Sequence, residues 1–200
     1  MNDLYKERDG SAVKTLFGKI AKQYDTTNAI LSFQMHTLWN QKLVHSVKGP
    51  ILLDLCAGTG EIAYRFLKKQ HTPQQVILLD FCPEMLEIAK TKKHVFEQQG
   101  HTLQFIQADA ASIPLADNSV DSVSIAYGIR NVVDRTSCLK EVHRVLKPGG
   151  TFSILELTEP KRPLLAKLHR FYLNRLLPKI GGFLTKEKEA YQYLSNSIQE

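Results

Sequence analysis

Two hundred residues, 43% hydrophobic and 8% aromatic, suffice for one domain with a sizeable core and leave little room for a second. No run nears the roughly 20 apolar residues of a membrane span. Of the 26 basic residues six lie between Lys161 and Lys179 with no Asp or Glu among them, and the other 20 match the 20 acidic residues; this localised net charge of +6 argues against a broad nucleic-acid-binding face.

In chain order, Met1–Ser11 is polar and lacks the apolar stretch of a secretory signal. Two helices are expected next, roughly 12–24 and 28–47. From Ile51 short apolar runs alternate with longer helical stretches, the pattern of a parallel sheet. Ile51–Leu55 reads as a strand, followed by Gly58-Thr59-Gly60 and a helix to about Lys69. Val76–Leu79 is a second strand ending at Asp80, and Pro83 suits the first turn of a helix reaching about Gln99. Leu103–Gln107 and 120–127 supply two more strands. A helix over 135–146 should stop at Lys147-Pro148-Gly149-Gly150, before a fifth strand over 151–155. The fold class is therefore α/β, a doubly wound Rossmann-like sheet, with ligands bound beyond the carboxyl ends of its strands. The basic segment is expected to be helical from its Leu164/Leu168/Phe171/Tyr172 spacing, and to end at Pro178 and Gly181-Gly182. One domain results: a helical cap (1–49), a cofactor-binding core (50–158) and a basic helical lid (159–200).

The chemistry concentrates at strand ends. Gly58 and Gly60 sit where a ligand must approach the backbone, although a plain helix-capping turn or a relaxed dinucleotide motif fits them too. Asp80, 22 residues after Gly58, can accept hydrogen bonds from a ribose diol. Asp109, followed by Ala110, can accept from an adenine amino group. Asp54 can hold a cationic amino group, and a carboxylate there would repel a pyrophosphate. Three acids at three strand ends suit S-adenosylmethionine better than a nicotinamide dinucleotide. Cys56, Cys82 and Cys138 form no CxxC pair, and no histidine pairs at ligand spacing, so a reducing cytoplasmic setting without a metal is expected.

The chain resembles class I S-adenosylmethionine methyltransferases, and closely resembles the C-methyltransferases of ubiquinone and menaquinone biosynthesis. The matching stretches include Phe17 to Asn28, Leu31-Ser32 with His36 and Trp39, Leu53 to Gly60, Asp80 to Met85 and Asp109 to Pro114. Tyr127-Gly-Ile-Arg-Asn-Val132, Arg144 to Gly150, Leu155-Glu156 and 191–198 follow. The resemblance implies methylation of a ring carbon of a prenylated quinol, foremost demethylmenaquinol, with Thr59, Asp80, Asp109, Ala110 and Ala126 touching the cofactor. Cys56 stands where relatives usually carry glycine, and Ala126 where they can carry serine. Relatives continue beyond Glu200 into antiparallel strands that complete the sheet; an uncovered edge would favour a homodimer.

The acceptor carbon becomes nucleophilic when an adjacent phenol ionises, and a free phenol has a pKa near 10. Arg130 is the candidate to stabilise that phenolate and Asn131 to orient the ring oxygen. An Arg–carboxylate pair tying the loop down is the alternative for Arg130. Tyr24, Asp25 and His36 are expected on the opposite wall, with His36 titrating nearest neutrality. The basic segment is either a solvated lid or a surface resting on an anionic membrane at its inner face, where a lipid quinol enters. A methyltransferase for another small molecule, or a silent cofactor-binding module, remains the competing reading.

Overall fold

A computed structural model describes residues 10–199, so the leading stretch read above lies mostly outside them. Five parallel strands, β1 (Ile51–Leu55), β2 (Gln75–Asp80), β3 (Thr102–Gln107), β4 (Val120–Ala126) and β5 (Leu146–Leu155), form one sheet in the order β3-β2-β1-β4-β5. Strands covered on both faces must be apolar throughout, which explains why Leu52, Leu53 and Leu55 are fully buried. Leu52, Val76 and Leu78 face one layer, built from α3 (Met35–Ser46), α4 (Glu61–Leu67), α5 (Pro83–Thr91) and α6 (Lys93–Glu97). Leu53, Ile77, Leu79, Val123 and Ile125 face the other, where α7 (Arg135–Val145) contributes Cys138, Val142 and Val145. The chain winds outward from β1 in both directions, so the strand order switches between β1 and β4, and a crevice opens beyond their carboxyl ends.

A third core covers that crevice. It joins Ile20 of α1 (Gly10–Ile20) and Leu31 of α2 (Tyr24–Leu31) to Cys82 and Met85. Across from them it takes in Leu173, Leu177 of α9 (Leu177–Thr185), and Tyr191 and Ile198 of α10 (Lys188–Gln199). The leading cap and the basic segment are thus packed on each other. Among the described residues no helix is long and apolar enough to cross a membrane, and no strand pairs with the outer edge of β5.

Five expectations change. The first expected helix is α1 with a 3-10 turn, Ala21–Gln23; the second is divided between α2 and α3, because Phe33 and Gln34 take left-handed conformations, φ 49° and 64°. The helix expected over 83–99 is divided at Lys92 into α5 and α6. Lys147 to Gly150 do not separate helix from strand: β5 starts directly after α7, and the four residues bulge between the pairs Val120–Leu146 and Ser122–Thr151. Finally, Pro178 and Gly181-Gly182 do not end the basic helix. From α8 (Pro163–Phe171) the chain runs through a π-turn (Tyr172–Leu176) into α9, where Pro178 occupies the first turn. Gly181 serves packing instead, since an added Cβ would lie 2.3 Å from the Tyr191 ring.

Candidate active site

The turn after β1 builds the crevice floor. Cys56, Gly58 and Gly60 all have positive φ, at 54°, 55° and 81°. The two glycines serve different ends. A Cβ on Gly58 would meet no atom within 4 Å, whereas one on Gly60 would lie 2.6 Å from Tyr64 Cε2 and 3.0 Å from Leu78 Cδ2. Gly58 therefore opens onto the crevice, and Gly60 lets the turn lie against α4 and β2. Gly60, expected at the cofactor, lines neither chamber of the crevice.

Two adjoining chambers occupy the crevice, of about 80 Å³ and 360 Å³. Tyr24, Cys56, Gly58, Ala126 and Tyr127 line both and mark the junction. The smaller chamber gathers Asp80, Asp109, Ala110, Met85 and Asn131. Asp80 is buried, and its carboxylate accepts from the N–H of Gly58 at 2.7 Å and of Cys82 at 2.8 Å. Burial raises its pKa, and those N–H donors oppose the rise. Asp109 is exposed at the chamber's edge and accepts from the Ala111 N–H at 2.8 Å. Ala110 is buried beside it and offers an apolar surface.

The larger chamber holds Asp54 and Thr59. Asp54 departs from the expected role: one oxygen accepts from the Ser124 hydroxyl at 2.8 Å and the other from the Ala63 N–H at 3.1 Å. It clamps β1 to β4 and to α4, and burial pushes its pKa up to about 7 against those two hydrogen bonds. Thr59 donates its hydroxyl to Asp25, which also pairs with Lys92 at 3.1 Å. The Lys92 ammonium reaches the Thr59 carbonyl at 3.2 Å. This clasp holds α2 across the glycine turn.

Tyr24, at the junction, has its phenol pKa raised by burial, while the positive charge of Arg130 pulls it back and Asn28 hydrogen-bonds to it. Arg130 lines the larger chamber with its guanidinium in an ion pair with Glu156, the two side chains only 8% and 15% exposed. Its Nε donates to Ser197 Oγ at 3.3 Å. The Arg–carboxylate alternative thus describes the contacts Arg130 makes, and its charge still reaches Tyr24. Asn131 Oδ1 accepts from the Tyr193 hydroxyl at 3.0 Å, so α10 fixes its orientation. His36 lines the larger chamber, with Nδ1 2.7 Å from Ser32 Oγ. Loss of water lowers its pKa most; Glu61 opposes the shift and Arg65 adds to it.

Several contributors were given no role by the sequence: Glu156, Lys92, Ser197 and Tyr193 reach the site from 26 to 67 residues away along the chain. Only Glu156 and the stretch holding Tyr193 and Ser197 stood within the matched motifs. Tyr127, left-handed at φ 57°, donates to Asn40 Oδ1 at 2.9 Å and holds the β4 end against α3. Burial raises the Cys56 thiol far above its usual pKa, so it stays protonated at the junction.

A parallel sheet in this order, with a glycine turn and an acid at each of three strand ends, defines the Rossmann-like fold of class I S-adenosylmethionine-dependent methyltransferases. An S-adenosylmethionine-dependent methyltransferase from Aquifex aeolicus shares it at a TM-score of 0.59 and 19% identity, over 86% of this chain and 87% of that one. The YcgJ protein of Bacillus subtilis aligns at a TM-score of 0.54 and 27% identity, over 72% and 60%. The chain belongs to the ubiE/COQ5 methyltransferase family, whose model matches residues 2–200. It is 43% identical over 198 residues to the demethylmenaquinone methyltransferase of Protochlamydia amoebophila, covering 97% of this chain and 82% of the relative. It is 42% identical over 188 residues to the ubiquinone/menaquinone biosynthesis C-methyltransferase of Bdellovibrio bacteriovorus, covering 92% and 78%.

Proposed function

We propose that this enzyme methylates a ring carbon of a prenylated quinol in menaquinone or ubiquinone biosynthesis, with demethylmenaquinol as the foremost substrate. The observation carrying this reading is a mostly apolar chamber of about 360 Å³ that meets the glycine-turn chamber at Tyr24, Gly58 and Ala126. Its volume lies in the range of small-molecule sites. The relatives named demethylmenaquinone methyltransferase, at 43–44% identity, support a naphthoquinol first.

The residues of the smaller chamber fit S-adenosylmethionine. Gly58 leaves room at the backbone, Asp80 offers a carboxylate for a diol, and Asp109 with Ala110 suits an adenine. That cofactor supplies an electrophilic methyl group. Thr59 and Ala126 border its path to the acceptor, and Asp54 keeps the turn in shape. In the larger chamber, the Arg130 charge favours ionisation of a phenol near Tyr24, and from the adjoining smaller chamber Asn131, held by Tyr193, presents its amide towards a ring oxygen. His36, with a lowered pKa, is neutral at pH 7 and able to take the phenolic proton. The packed cap, α1 and α2 against α9 and α10, keeps water from the reacting centre.

The same reading has the protein in the cytoplasm, touching the inner face of an anionic membrane, with no nucleic-acid partner. The test is incubation of the purified chain with S-adenosylmethionine and demethylmenaquinol, followed by mass spectrometry. A product heavier by one methyl on the ring supports the proposal. Tight cofactor binding with no methylation of either naphthoquinol or benzoquinol would overturn it in favour of a silent binding module.

A further inference from the structure

The basic segment carries a device that its residue spacing alone does not reveal. Besides Leu165 and Leu184, which each follow one of them directly, the exposed apolar residues along it fall at Leu164, Leu168, Phe171, Leu176, Ile180 and Phe183. Their steps are four, three, five, four and three residues. The step of five would break an α-helical stripe, because four residues after Phe171 comes Arg175. That step coincides with the π-turn Tyr172–Leu176, where the Leu177 N–H bonds back five residues to the Tyr172 carbonyl. A single π-turn inserts one residue without ending the helix. It therefore rotates the second half until both halves present one apolar face.

The opposite flank is phased in the same way. Exposed Lys167, Arg170, Arg175 and Lys179 step by three, five and four, again taking five across the π-turn. The inner face, Ala166, Leu173, Leu177 and Gly181, is buried against the protein. The rod from Pro163 to Thr185 is thus three-sided: one face in the core, one apolar and exposed, one basic. At 1.5 Å per residue it runs roughly 34 Å.

A second element meets it at the mouth of the larger chamber. Phe33, 76% exposed at the left-handed turn between α2 and α3, has its ring centroid 6.3 Å from that of Tyr172. The Tyr172 hydroxyl donates to the Leu31 carbonyl at 2.6 Å, which ties the rod to that turn. Phe33, His169 and Tyr172 all line the chamber.

We propose that this rod is an interfacial membrane helix, laid in the plane of an anionic bilayer with Phe33 as a second wedge, so that the chamber opens directly into lipid. The occupant follows from charge and shape. A protein partner of this rod would have to match both a straight apolar stripe and an unbroken basic row, whereas an anionic lipid surface supplies both at once. Four basic residues inside the rod forbid a spanning orientation. The inference rests on the quinol reading only for the prenyl tail left in the bilayer.

The test is flotation of the full chain with vesicles of phosphatidylcholine containing phosphatidylglycerol, and with phosphatidylcholine alone. The chain should float with the anionic vesicles and be released as salt is raised. Phe183→Asp and Leu176→Asp should each weaken binding about tenfold or more, given what burial of one such side chain contributes. Phe183 is 86% exposed, so the fold should survive, as circular dichroism will report. Leu139→Asp, on exposed α7 surface, places the same charge elsewhere and should bind like wild type. Phe183→Asp should also keep its methylation rate on a short, water-soluble quinol and lose it on a prenylated quinol held in vesicles. Failure of the wild type to float, or wild-type binding by both rod variants, overturns the proposal. So does a column shift to monomer in Phe183→Asp when the wild type self-associates and ignores vesicles. Stripe-dependent flotation without methylation of any quinol leaves the membrane surface standing and removes the quinol assignment.

Discussion

Two glycines two residues apart should fail in opposite ways when each is given a methyl group. At Gly60 the new Cβ would lie 2.6 and 2.9 Å from the Tyr64 ring. That ring cannot retreat: its hydroxyl donates to the Ala89 carbonyl at 2.6 Å, and Phe96 stacks on it at 4.9 Å between centroids. A left-handed residue with a side chain costs about 1–2 kcal/mol, and overpacking adds about 1–3 kcal/mol. Gly60→Ala should therefore lower Tm by roughly 4–20 °C, at about 2–4 °C per kcal/mol for a chain of this size. The fraction that stays folded should bind S-adenosylmethionine with nearly unchanged affinity. At Gly58 the methyl meets no protein atom within 4 Å. Its backbone strain is partly offset by the lower entropy of the unfolded alanine chain, so the loss should be about 1 kcal/mol or less. The methyl instead fills the cradle, and Gly58→Ala should weaken the cofactor about tenfold or more, equivalent to about 1.4 kcal/mol. Thermal melts with calorimetric titration of both variants decide the matter. Wild-type affinity in Gly58→Ala, or a wild-type Tm in Gly60→Ala, would refute the assignment.

Arg130→Ala should lower turnover without changing cofactor affinity and should also destabilise, because it leaves the largely covered Glu156 carboxylate with two backbone N–H donors and no counter-charge, at a cost of at most about 3–5 kcal/mol. Adding Glu156→Ala should recover much of the stability and none of the turnover, read by urea unfolding and initial rates; recovery of both would make Arg130 purely structural. Asp54 is held with its pKa raised to about 7, so the folded state binds its proton more tightly than the unfolded one. The stability this confers is complete below about pH 4 and lost as pH rises towards 7. Asp54→Asn, which can keep both hydrogen bonds, should overtake the wild type across that window, by at most roughly 4 kcal/mol above pH 7. Denaturant midpoints from pH 4 to 8 would expose the error if the variant stayed the weaker protein at pH 8.

The division between sequence and tertiary structure follows the range of the forces involved. Apolar runs such as Ile-Leu-Leu-Asp-Leu and the breakers between them set the strands and their alternation with helices, since periodicity is a local property. The acids at strand ends, Asp54, Asp80 and Asp109, were legible for the same reason: a strand end is a local event. Which way each side chain points was not. Asp54 turned inward because Ser124 and the Ala63 N–H offered it two donors, and Gly58 parted from Gly60 because Tyr64 stands behind only one of them. Pro178 and Gly181-Gly182 look like a helix end in isolation, yet packing of Gly181 on Tyr191 and the preceding π-turn carry the helix through them. The chain alone determined the sheet, its glycine turn and the kind of cofactor it suits. Only packing between segments distant in sequence could decide that Arg130 meets Glu156, that Asn131 meets Tyr193, and that the basic helix turns one continuous apolar face outward.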